Sequence, residues 1–156
     1  MFHAPVTRAF WLVVLGITSL GANPARAALG GDAASVLADG AELHGSVYAA
    51  TLPLYDLQEI TADSGMHVRQ YLNRDGVVFA VSWTGPVPPN LQHLLGAHYA
   101  AYTAALAALN HPGLHRSVRV ASADLVVESG GHLRAYGGRA YLPLAVPAGV
   151  PTAELR

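Results

Sequence analysis

The chain has 156 residues, with nine basic residues against ten acidic ones and no cysteine. A slightly acidic balance leaves no electrostatic footprint for nucleic acid. The lack of cysteine excludes disulfides, thiolate catalysis, cysteine-ligated zinc and a lipid anchor through an N-terminal cysteine.

The first 27 residues read as a cleavable secretory signal peptide. Arg8 precedes an apolar run over 9–20, which is followed by Gly21-Ala22-Asn23-Pro24 and an A-x-A site, Ala25-Arg26-Ala27. The run is too short to span a bilayer as a helix, which takes about 20 residues. The expected organisation is a leader over 1–27 and one domain over 28–156, periplasmic or extracellular, with no transmembrane span after cleavage. Two arginines leave with the leader, so seven face ten acids and the mature charge is −3.

Asp32 is placed to cap a short helix over 33–43, weakened by Gly40. Residues 47–53 read as connector. Residues 55–62 are rich in strand formers, and Asp63-Ser64-Gly65 is a turn. Residues 66–73 alternate, with Met66, Val68, Gln70 and Leu72 on one face. Arg74-Asp75-Gly76 closes a second hairpin, and 77–83 is almost continuously apolar, as a central strand covered on both faces would be. This half predicts a three-stranded meander. After Gly85-Pro86-Val87-Pro88-Pro89, Asn90 caps the main helix, whose stripe is Leu91, Leu94, Leu95, His98, Tyr102, Leu106 and Leu109. Asn110-His111-Pro112-Gly113 ends it. Strands are expected over 117–121, 124–128, 132–136 and 139–144, then an extended or loose tail marked by Pro143, Pro147 and Pro151. The fold class is α+β, a single antiparallel sheet of about five or six strands packed by one main helix.

Two features stand apart. Residues 76–115 contain no Asp, Glu, Lys or Arg. The alanine back of the helix, including Ala97, Ala101 and Ala104, is therefore an uncharged surface and an interface candidate for assembly. The second is an ungapped repeat: residues 59–81 match 124–146 at an offset of 65, with eight of 23 positions identical. A duplicated hairpin and a chance likeness of two hairpins both account for it.

Within the repeat, His67, Arg69 and Tyr71 alternate, as do His132, Arg134 and Tyr136. Strand geometry sends alternate side chains to one face. An arginine fork, an imidazole and a phenol suit a small anionic or sugar ligand. The competing reading is a solvated sheet face. The histidine spacings build no metal site: His93 and His98 are five apart, and Pro112-Gly113 separates His111 from His115. There is no H-E-x-x-H, no G-x-S-x-G and no paired carboxylates in an apolar setting. No metal, cofactor or catalytic residue is expected.

Several blocks resemble a family of exported bacterial proteins known only as a domain of unknown function. They are Ala28-Leu29-Gly30-Gly31, Gly76-Val77-Val78-Phe79-Ala80-Val81-Ser82-Trp83, Gly85-Pro86, Leu94-Leu95-Gly96, and Ser129-Gly130-Gly131-His132 with Gly138-Arg139-Ala140-Tyr141. The resemblance implies export and a single domain, and no chemistry. The functional expectation is a non-enzymatic module binding a ligand or an envelope protein. The alternatives are a small hydrolase or metal-dependent enzyme on the His/Arg/Tyr face, and a structural subunit assembling through the uncharged helix.

Overall fold

The computed structural model describes residues 29–33, 36, 40–41, 43–109 and 117–156. The leader, most of the helix expected over 33–43, and the segment that ends the main helix lie outside the described residues.

Seven strands form one antiparallel sheet: β1 (Gly45–Thr51), β2 (Asp56–Ala62), β3 (His67–Leu72), β4 (Val78–Gly85), β5 (Ser117–Ala121), β6 (Val126–His132) and β7 (Ala135–Tyr141), in the order β1-β2-β3-β4-β7-β6-β5. Two meanders thus meet where β4 pairs with β7. The expected β2–β3–β4 meander is present. Gly65 and Gly76 take the positive φ values its turns need, 80° and 76°. The Asn73 side chain accepts hydrogen bonds from the Asp75 and Val77 amides, both at 3.0 Å.

Between β4 and β5 the chain runs as α1 (Leu91–Leu95), a 3₁₀ turn (Gly96–His98) and α2 (Tyr99–Ala108). Asn90 caps it as expected, its side chain accepting from the His93 amide at 3.1 Å. Leu94, Leu95 and Tyr102 pack in one cluster with Val68, Val81 and Trp83 of the sheet. Ala97, Ala101 and Ala104 are exposed. Among the described residues no helix is long and apolar enough to cross a membrane.

The other sheet face is closed by residues 143–156. This is a correction to the loose tail expected from its prolines. Val150 and Leu155 join Tyr71, Phe79, Ala80, Val126 and Tyr141 in a second core cluster. Leu155 is only 1% exposed. Prolines cannot continue a strand or helix, but they do not prevent docking, and the two apolar side chains supply the attachment.

Other expectations shift. The connector over 47–53 is mostly strand β1, an edge strand whose residues are largely exposed on both faces, so no alternation marked it. The three short strands expected after β5 are two long ones. Ser129-Gly130-Gly131 lies within β6, Gly137-Gly138 lies within β7, and the turn is Leu133-Arg134. Gly138 is required by packing: a Cβ there would sit 2.5 Å from the Trp83 ring. The 65-residue match therefore does not superpose hairpin on hairpin, since Ser64-Gly65 is a turn and Ser129-Gly130 is strand.

If the tail is an integral cover, Leu155→Ala costs about 2–5 kcal/mol. Urea unfolding checks this; a tail that merely rests on the surface would leave the midpoint in place.

Candidate functional site

On the tail-side face, residues directly opposite one another form rows across the sheet. The central row is Glu59, Arg69, Ser82, Arg139, Glu128 and Arg119, running from β2 to β5. On one side of it lies an apolar row of Tyr71, Ala80, Tyr141 and Val126, which the tail covers. On the other side lie His67, Thr84, Gly137, Gly130 and Ser117. Four of those five side chains are small or missing, so the surface sinks. The result is an open groove of about 770 Å³ whose walls include the arginines of the central row and Ala153, Leu155 and Arg156 of the tail.

The ionic row is paired strand to strand. Arg69 Nε donates to Glu59 Oε2 at 2.9 Å. Arg139 Nε donates to Glu128 Oε2 at 2.8 Å, and Arg119 Nε lies 3.1 Å from the other oxygen of Glu128. Glu128 is thus shared by two arginines. The guanidinium groups also hold the tail by its backbone. Arg69 Nη1 donates to the Arg156 carbonyl at 2.6 Å, joined by the Tyr71 hydroxyl at 2.9 Å, and Arg139 Nη1 donates to the Thr152 carbonyl at 2.5 Å. The hydrogen bond with Glu59 pushes the Arg69 pKa further above its ordinary value.

Of the residues singled out in the sequence, His67 and Arg69 line the groove. Tyr71 shares their face but is 2% exposed, sealed beneath the tail. The second triplet does not assemble as expected. His132 ends β6, Arg134 occupies the turn with φ 65°, and Tyr136 is the second residue of β7, on the face opposite Arg139. None of the three lines the groove. They alternate in sequence, but a turn intervenes, and the period-two rule holds only along one strand. Ala97, Ala101 and Ala104 lie on the helix, on the other side of the sheet from the groove.

Arg139, Arg119, Glu128 and Ser82 were missed. A usable signal exists for the first hairpin, where Glu59 and Arg69 stand equally far from the Ser64 turn. The second hairpin hides its pair, because its true turn, Leu133-Arg134, contains none of the usual turn formers.

A family model described as "Protein of unknown function (DUF2844)" matches residues 25–155. The chain belongs to that family. No match is found among curated proteins or among solved structures. In this DUF2844 domain the two Glu–Arg hairpins differ in burial: the Arg139 side chain is 22% exposed and that of Arg69 is 44% exposed.

Desolvation strengthens a charge-assisted hydrogen bond, so the inner pair couples more strongly. A double-mutant cycle on Glu128 and Arg139 is expected to give about 1 kcal/mol or more, and one on Glu59 and Arg69 less than about 1 kcal/mol. Chemical denaturation of the two sets of variants measures both, and a reversed order would contradict the ranking.

Proposed function

We propose that this DUF2844 domain is an exported, non-enzymatic binding module that takes an anionic ligand in the groove beside the tail. The observation that carries the reading is the charge of the lining. Among the described residues, Arg69, Arg119, Arg139 and Arg156 line the groove against one acid, Glu128, with Glu59 beside Arg69, in a chain whose overall charge is −1. A positive concavity on an acidic protein concentrates anions and steers them inward. Arginine forks give directional donors to carboxylate or phosphate, and Thr84 and Ser117 add hydroxyls. The volume falls in the range of small-molecule sites.

The arrangement favours binding over catalysis. His67 Nδ1 lies 3.2 Å from Thr61 Oγ1 and 3.9 Å from Glu59 Oε1. Both contacts use one ring nitrogen, so His67 is not set between a nucleophile and an orienting carboxylate. Ser82, 3% exposed, meets the Tyr71 hydroxyl at 3.5 Å. Export rests on the leader sequence alone: a positive start, a short apolar run and Ala25-Arg26-Ala27.

A second reading, assembly through the helix, is favoured by the exposure of uncharged Ala97, Ala101 and Ala104. In that reading Ala101→Glu lowers the mass in solution, and an unchanged mass removes it.

The anion reading is tested by melting the purified protein with phosphate, citrate and glucuronate. A ligand at about a hundred times its Kd stabilises the native state by about 2.7 kcal/mol, a shift of several degrees. The expected result is a shift with at least one anion that Arg69→Ala reduces and Arg139→Ala abolishes. A flat panel, or shifts that survive both substitutions, overturns the proposal.

A further inference from the structure

We infer that the groove receives a linear acidic polysaccharide laid across the strands; the inference rests on the anion-binding reading above and names its ligand class. Three groove arginines share the central row: Arg69 on β3, Arg139 on β7 and Arg119 on β5. One strand separates each from the next. With neighbouring strands about 4.8 Å apart, the side chains are rooted about 10 Å apart across the sheet. A glycan with a uronate on every second sugar presents its carboxylates at a comparable interval. A single small anion would engage one of these positions and leave the others to their glutamates.

Arg119 is the position that a single-anion site would not need. It stands on an outermost strand, its side chain is 67% exposed, and its contact is with Glu128, which Arg139 already satisfies. Neither the tail nor the core is held by it. It does extend the positive wall of the groove to the edge of the sheet, where a chain could continue into solvent.

The floor argues for a glycan over other polyanions. Thr84, Gly137 and Gly130 are engaged in strand pairing on β4, β7 and β6, and the free edge that borders the groove, that of β5, runs perpendicular to the arginine row, so a peptide extending that edge would not follow the row. Single-stranded nucleic acid is held in a basic groove by successive bases stacking on aromatic faces. Among the groove residues the Trp83 ring is 3% exposed and packs in the helix-side core, which leaves His67 as the accessible ring, too few for successive bases. A flat floor of glycine backbone with flanking hydroxyls fits a sugar ring, whose polar groups lie around its rim.

Calorimetric titration of the purified protein tests this. The probes are glucuronate, hyaluronan oligosaccharides of increasing length and oligogalacturonates of matching length, with phosphate, citrate, polyglutamate and single-stranded DNA as comparisons. The expected result is an affinity gain of about a hundredfold or more from the monosaccharide to an oligomer that spans the groove. Arg119→Ala should remove most of that gain, weakening the spanning oligomer far more than glucuronate, with the melting temperature unchanged because the side chain is exposed. Glucuronate binding as tightly as the longest oligomer would overturn the polysaccharide inference and leave the anion site standing. So would a phosphate or citrate response with no uronate binding. Tighter binding of polyglutamate or single-stranded DNA than of any glycan would overturn the choice of occupant. Failure of every anion would overturn both readings together.

Discussion

The structure depends on the burial of β4. From Val78 to Trp83 its six residues are all buried, and it pairs with β3 on one side and β7 on the other. A strand apolar on both faces needs cover on both faces. The helical segment between β4 and β5 supplies one cover, seating Leu94, Leu95 and Tyr102 against the sheet. The tail supplies the other through Val150 and Leu155. The tail covers one apolar row and stops where the central row turns ionic. The groove is the part of that face which neither apolar residues nor the tail fill.

The tail's attachment also shapes the electrostatics. The carbonyls of Thr152 and Arg156 accept from Arg139 and Arg69, the same side chains that pair with Glu128 and Glu59. Each guanidinium is therefore fixed by a carboxylate from one direction and a backbone dipole from another. Fixed donors lose less side-chain entropy on meeting a ligand than free ones do. The same contacts tie the stability of the tail to the groove, so Arg139 serves both, whereas Arg119 serves the groove alone. Substitutions at the two positions are thus not equivalent probes.

Legibility in the sequence follows the range of the physics. β2, β3, β4, the Asn90 cap and the helix stripe as far as Leu106 were readable because turn chemistry, alternation and helical period are local, whereas Leu109 lies past the helix end and is exposed. β1 was not, because an edge strand exposed on both faces shows no period. The β6–β7 hairpin was misread because Gly130, Gly131, Gly137 and Gly138 resemble turns. At Gly138 the glycine accommodates the Trp83 ring, a contact with a residue on another strand. The tail's docking was equally invisible, since its prolines are local and its anchors, Leu155 and the arginine-bound carbonyls, are not. Of the site, His67 and Arg69 were found by alternation. Arg139, Glu128 and Arg119 enter through cross-strand register, which a single sequence does not encode in any short window.

The internal repeat separates two kinds of likeness. At the level of ungapped sequence, Ser64-Gly65 corresponds to Ser129-Gly130, yet one pair turns and the other extends. At the level of register, the β2–β3 and β6–β7 hairpins each set a glutamate on the first strand directly opposite an arginine on the second, Glu59 with Arg69 and Glu128 with Arg139. The two correspondences require different offsets, so a gapless match cannot express both. What the two halves of the sheet hold in common is a charge arrangement on one face, set symmetrically about Ser82 of β4 and lying on either side of the β4–β7 pairing. A ligand bridging Arg69 and Arg139 would meet both hairpins across that pairing, and the groove floor of Thr84, Gly137 and Gly130 lies beside it.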